Sequence, residues 1–230
     1  MNTPRSRAAR PACAFTLIEL LVVIAIIAIL AAILLPAFAS AKRKAKISVA
    51  KTEMHDLAVA IVHYDTEYSR MPVPKDGVAA ISAGGCPDYT YGTTGLPTSP
   101  NYPNIISCGG APDGQYCNAP LIDVLRNVSP TNAYNPRQIG FLHAKDASVP
   151  RGPGVDTAFD HVFRDPFGNP YIISIDMNDD SKVQDGLYSN FSLVVPGQVM
   201  VWTFGPDGKA SADPTVGAKG GVNKDNIVSW

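Results

Sequence analysis

This 230-residue chain has no excess of positive charge: 19 Lys and Arg stand against 20 Asp and Glu, for a net charge of −1. That excludes the broad basic field by which a protein holds nucleic acid. Catalytic signatures are missing as well. There is no phosphate-cradling glycine loop, no nucleophile motif and no zinc spacing. His143, Asp160, His161 and Asp165 come nearest to a hydrolase set, but no fixed spacing joins them, and they read as ordinary loop and turn residues. His55 and His63 lie eight residues apart, where a helical metal pair would use four, and read as partly exposed helix residues. Cysteine is scarce, with four in all. Cys13 precedes the main apolar run, leaving Cys86, Cys108 and Cys117 beyond it. In an exported protein an odd number leaves one disulfide and a free thiol, or an intermolecular bridge. Cys108–Cys117 closes a short loop and is the first choice; three free thiols are the alternative.

Charge is also missing locally. From residue 15 to residue 39 the chain is almost wholly apolar, and Glu19 is its only ionisable side chain. A carboxylate there costs about 2.5–3.5 kcal/mol on membrane-insertion scales, so it persists where something binds it. Arg5, Arg7 and Arg10 precede the run, and Lys42, Arg43, Lys44 and Lys46 follow it, so a count of flanking cations does not orient it. The run is too long for the apolar core of a secretory signal, which spans about 7–15 residues. A plain transmembrane anchor fits the length, but it explains neither Glu19 nor Pro36.

These residues taken together have a closer match. A basic leader ends in Ala14, Phe15 follows, Glu19 is the fifth residue after the junction, and Pro36 sits near the far end of the apolar helix. This resembles the prepilin-type cleavage and methylation segment of type IV pilins and type II secretion pseudopilins. The resemblance implies a cut by a prepilin peptidase between Ala14 and Phe15, on the cytoplasmic side, with methylation of the new amine. The family usually has Gly before the cut, and this chain has Ala14. Glu19 lies one helical turn from Phe15. In a staggered bundle it would face the amine of a neighbouring subunit, so that pairing of two costly charges favours assembly in register. The implied partners are the peptidase, other pilin-like subunits, inner-membrane assembly machinery and the lipid bilayer. The implied location is the bacterial inner membrane, with the N-terminus cytoplasmic and the head periplasmic.

Beyond Lys46 the pattern stays helical. Ile47, Ala50, Met54, Leu57, Ile61, Tyr64 and Tyr68 recur at steps of three and four, as on one face of a helix. Met71-Pro72-Val73-Pro74 ends it, and Pro36 is expected to kink or locally melt it. The chain thus divides into a leader (1–14), a membrane or filament-core helix (15–39), an amphipathic helix (40–70) and a head (71–230). Seven Gly and five Pro between residues 84 and 114 predict an irregular segment rather than a regular central strand. Tyr89, Tyr91 and Tyr102 are expected to pack it on the head. A short helix is predicted at Leu121–Val128. Strands are predicted at Tyr171–Ile175, Phe191–Val195 and Val199–Phe204. The result is an α+β, pilin-like fold: a long helix, then a small antiparallel sheet.

Two acidic turns remain. Asp176-x-Asn178-x-Asp180 opens like an EF-hand loop, but Ser181 and Leu187 stand where that loop needs Gly and Glu, so it reads as a solvated hairpin turn. The second is Gly205-Pro206-Asp207-Gly208-Lys209, with Asp213, Asp225 and Asn226 after it. Together with Arg164-Asp-Pro-Phe-Gly-Asn-Pro-Tyr171 and the ending Asp225-Asn-Ile-Val-Ser-Trp230, it resembles the major pseudopilin of type II secretion. That resemblance implies a calcium loop, with Asp207 and Asp225 as carried-over ligands and Asp213 as a third, the alternative being a metal-free turn closed by Trp230. It also implies that residues 76–160 hold an insertion. The expected function is a non-catalytic pseudopilus subunit. The alternatives are a type IV pilin subunit and a membrane-anchored binding module.

Overall fold

A computed structural model of the chain describes residues 16–73, 88–92, 118–128, 133–185, 193–211, 215 and 217–230. It falls into two compact units, Met1–Lys44 and Ala45–Trp230. Among the described residues one helix is long and apolar enough to cross a bilayer. That helix, α1, runs Leu17–Tyr68. It does not melt at Pro36: the backbone stays helical through that residue. Proline's fixed φ is compatible with a helix, and its missing N–H removes one bond of the ladder.

Within the second unit, the face of α1 predicted to be apolar is the one that packs. Ala50, Met54, Leu57, Ala60, Ile61 and Tyr64 are buried. Phe141 is wedged edge-on between Tyr64 and Tyr68, with ring centroids 5.4 and 6.0 Å away. The helix ends where Ser69 turns to a left-handed φ of 49°.

A four-stranded antiparallel sheet has the order β1-β4-β7-β8, formed by Tyr89–Tyr91, Ile172–Ile175, Val199–Thr203 and Ile227–Val228. Two small hairpins complete it: β2 (Gly154–Val155) with β3 (Phe163–Arg164), and β5 (Lys182–Val183) with β6 (Val195–Pro196). Strand alternation sorts the side chains. Tyr89, Tyr91, Ile173, Ile175 and Val201 join α1 and a short helix, α2 (Ala119–Arg126), in the main core. Ile172, Met200 and Trp202 face the other way, into a second cluster with Val183, Val195 and Phe204.

Three expectations need correction. Tyr89–Tyr91 is a regular edge strand inside the segment predicted to be irregular, paired Tyr89↔Ile175 and Tyr91↔Ile173. Three β-favouring residues suffice at an edge, and Gly92, at φ +96°, turns the chain away directly afterwards. The strand predicted at Phe191–Val195 appears only as β6 at Val195–Pro196, outside the main sheet; Phe191 and Ser192 lie outside the described residues. The short helix begins at Ala119 and stops at Arg126, because Asn127 takes the left-handed conformation that closes a helix end.

Candidate functional site

Glu19 is held by a reciprocal cap. Thr16 precedes the first helical residue, and its N–H and Oγ1–H both donate to Glu19 Oε2, at 2.8 and 2.7 Å. The Glu19 N–H donates back to Thr16 Oγ1 at 3.3 Å. This is a Thr-x-x-Glu capping box, which satisfies the unpaired donors of a helix start. The carboxylate therefore stays at the helix mouth in a defined pose. The Thr-x-x-Glu spacing of Thr16 and Glu19 is itself the sequence signature of this cap.

A second constellation lies in the turn Arg164–Tyr171. Asp165 is fully buried. Its Oδ1 accepts the N–H groups of Phe167 and Asn169 at 2.8 and 2.9 Å, and its Oδ2 accepts the Thr203 hydroxyl at 2.9 Å. Burial pushes its carboxyl pKa upward. Asn169 reaches the Gly205 carbonyl at 2.6 Å. On the helix side, Lys46 donates to the Pro166 carbonyl at 2.7 Å and sits over the Phe167 ring, while the Tyr171 hydroxyl donates to Glu53. The turn thus ties the amphipathic part of α1 to the end of β7.

A model of the prokaryotic N-terminal methylation motif matches residues 10–35. The chain is also 37% identical over 67 residues to the type II secretion system core protein G of Pseudomonas aeruginosa. That match covers 29% of this chain and 47% of the relative, so the chain spans about half the length of the curated relative it matches. No solved structure matches it. The chain is pseudopilin-like.

Of the residues predicted to act in this pseudopilin-like chain, Ala14, Phe15, Cys108, Cys117 and Asp213 lie outside the described residues, as do the leader and Tyr102. The hydrolase candidates do not converge. Asp160 pairs with Arg164, His161 Nδ1 lies 2.7 Å from Asp123 on α2, and Asp165 caps its own turn. His63 packs edge-on against Phe141.

Asp207 and Asp225 lie on two 3-10 turns, Gly205–Asp207 and Gly221–Asp225. The turns meet so closely that a Cβ on Gly205 would fall 2.1 Å from the Asp225 carbonyl oxygen. Of the three carried-over ligands, Asp213 lies outside the described residues, so only Asp207 and Asp225 are placed. Among the described residues no three of His, Cys, Asp and Glu group where a metal could sit. Asp207 Oδ1 is committed to its own turn, accepting the Lys209 N–H at 2.9 Å.

In the acidic turn between β4 and β5, Asn178, Asp179 and Asp180 are exposed as expected, whereas Asp176 at its start and Asp88 beside it are buried. Asp176 accepts the N–H groups of Asn178, Asp179 and Ser181, at 2.9–3.1 Å, which closes the turn from inside. Asp88 accepts those of Met177 at 3.3 Å and Gln184 at 2.6 Å. Burial, together with the charges of Asp176 and Asp180, raises its pKa from 3.8 to about 6, against the pull of those two N–H groups. Folding therefore favours the protonated form. The contribution of Asp88 is fully present below pH 3.8 and is lost as the pH rises through 6. Glu53 and Asp165 are raised as well, so they act with the same sign. Melting temperature is expected to fall between pH 4 and pH 6.5, and Asp88→Asn should flatten that slope. An unchanged slope in the variant would remove Asp88 as a source.

Sequence reasoning missed the buried amides. Asn118 is fully buried at the start of α2. It donates to the Phe163 and Tyr171 carbonyls at 3.0 and 2.9 Å and accepts the Phe163 N–H at 2.9 Å. Asn135 does the same work near the helix end, between Val124, Ile139 and the Tyr68 hydroxyl. No local spacing marks either one.

Proposed function

We propose that this chain is a non-catalytic structural subunit of a type II secretion pseudopilus. It inserts into the inner membrane by α1, with its leader in the cytoplasm and its head in the periplasm. A prepilin peptidase removes residues 1–14, and the exposed Phe15 amine of one subunit then pairs with Glu19 of a neighbour. The observation that carries this reading is a carboxylate fixed by Thr16 at the mouth of an apolar helix, within a segment that matches the methylation motif. A charge in that position is costly unless paired, and the reading supplies the partner. The likeness to core protein G supports the pseudopilus over other pilin-type filaments.

Co-expression with a prepilin peptidase tests it. Mass spectrometry of the purified chain is expected to show the loss of residues 1–14 and a methylated Phe15. A chain that keeps its leader, or is cut elsewhere, would overturn the assembly scheme. Deleting the gene is expected to stop export of type II substrates. Intact export accompanied by loss of surface pili would instead move the chain to the pilus class.

A further inference from the structure

Asn223, in the turn Gly221–Asp225, is 3% exposed. Its Oδ1 accepts the Ser211 N–H at 2.8 Å, while its Nδ2 donates to the carbonyls of Ser211 at 2.9 Å and Gly217 at 3.1 Å. The amide can face only one way. Only its oxygen can accept the Ser211 N–H, so the NH2 group must meet the two carbonyls. Gly217 presents its carbonyl from a φ of +77°, a conformation open to glycine at no steric cost. One neutral side chain thus draws both ends of the 211–217 segment onto the turn that follows it.

A divalent cation in such a loop would do the same, by pulling carbonyl and carboxylate oxygens inward. Here the Ser211 and Gly217 carbonyls already accept from the amide, and the nearby charges give a cation no net attraction. Between residues 207 and 225 the sequence has three Asp and three Lys, which cancel. A cavity of about 400 Å³ beside Asn223 is lined by Lys219 and Lys224, with no carboxylate among its described lining residues.

We propose that Asn223 is the built-in lock of the C-terminal loop, and that this loop closes without a metal ion, an amide taking the place that the family resemblance assigns to calcium. The proposal is independent of whether the chain assembles into a pseudopilus.

The test uses the full chain in detergent, with millimolar calcium chloride in one arm and EGTA in the other. The melting temperature, followed by near-UV circular dichroism, is expected to agree between arms to within about 1 °C, and the Ser211 amide to exchange equally slowly in both. Asn223→Ala is expected to lower the melting temperature by about 3–10 °C in both arms, since it strands a buried N–H and two carbonyls, and to speed exchange at Ser211. A rise of more than about 4 °C on adding calcium to the unaltered chain would overturn the proposal. So would an Asn223→Ala chain with unchanged melting and exchange. If that variant does not fold, the comparison of the two arms on the unaltered chain decides alone.

Discussion

Glu19→Ala is expected to reach the membrane in normal amount and to be missing from sheared filaments. Two separate roles must be pulled apart to see why. Within its own chain Glu19 closes the capping box with Thr16. Losing a cap costs about 0.5–2 kcal/mol. That is small beside the burial of an apolar helix of membrane length, where each buried CH2 contributes about 0.8 kcal/mol, so insertion survives. Assembly is another matter. In the proposed assembly a cleaved neighbour would bring an ammonium into a low-dielectric surrounding, and leaving one charge of a buried pair uncompensated costs roughly 3–5 kcal/mol. Repeated at every subunit contact, that prevents growth. Glu19→Gln separates the roles, since its side-chain oxygen can still accept from Thr16 but carries no charge. It is expected to fail in assembly as Glu19→Ala does, whereas Thr16→Ala, which keeps the carboxylate, is expected to assemble at reduced yield. Filaments of Glu19→Gln at normal yield would sink the charge-pairing account and leave only the cap.

The largest stability loss is expected at Trp202. This residue is wholly buried in β7 and meets Phe204 edge-on at 5.3 Å. Its Nε1–H donates to Asp185 Oδ2 at 2.9 Å, and that buried carboxylate oxygen also accepts the Ser174 hydroxyl at 2.8 Å. Trp202→Ala removes the ring at a cost of about 3–5 kcal/mol and withdraws a donor from a buried acid for about 1–3 kcal/mol more. Whole domains are stable by only about 5–15 kcal/mol, so the head of this variant is expected to be largely unfolded at 37 °C. Trp202→Phe keeps most of the volume and loses the donor, so it should cost about 1–3 kcal/mol. Denaturant melts of the detergent-solubilised chain, read by near-UV circular dichroism, measure both. A Trp202→Phe midpoint equal to that of the parent would show that Asp185 does not rely on the indole.

What could be read in advance follows from how local each signal is. The helical face from Ala50 to Tyr64 was legible because its period is written in consecutive turns. β4 and β7 were legible because Tyr171–Ile175 and Val199–Phe204 are unbroken β-favouring runs. β1 was not, since three residues beside Gly and Pro gain their strand character from Ile173 and Ile175, more than eighty positions away. β8 has two residues and depends on Trp202 and Thr203 for its register. The candidate site divides in the same way. Glu19 stands out against apolar neighbours, and Thr16 could have been found from the Thr-x-x-Glu spacing. Asn118, Asn135, Asp185 and Asn223 are single polar residues whose partners are set by the tertiary fold, so nothing near them in the sequence announces their burial.

The sheet order carries a consequence for the time course of synthesis. The buried face of α1 lies before residue 68, whereas the central strands that help cover it end at Thr203 and the edge strand β8 ends at Val228. A ribosome adding about 5–20 residues per second needs on the order of ten seconds to pass from one to the other. For that interval Met54, Leu57 and Ile61 have no sheet to pack against. The nascent chain therefore emerges with a greasy ridge whose sheet cover arrives only with its last third. During that window a chaperone would have its best purchase on this molecule, on the ridge that the finished head hides.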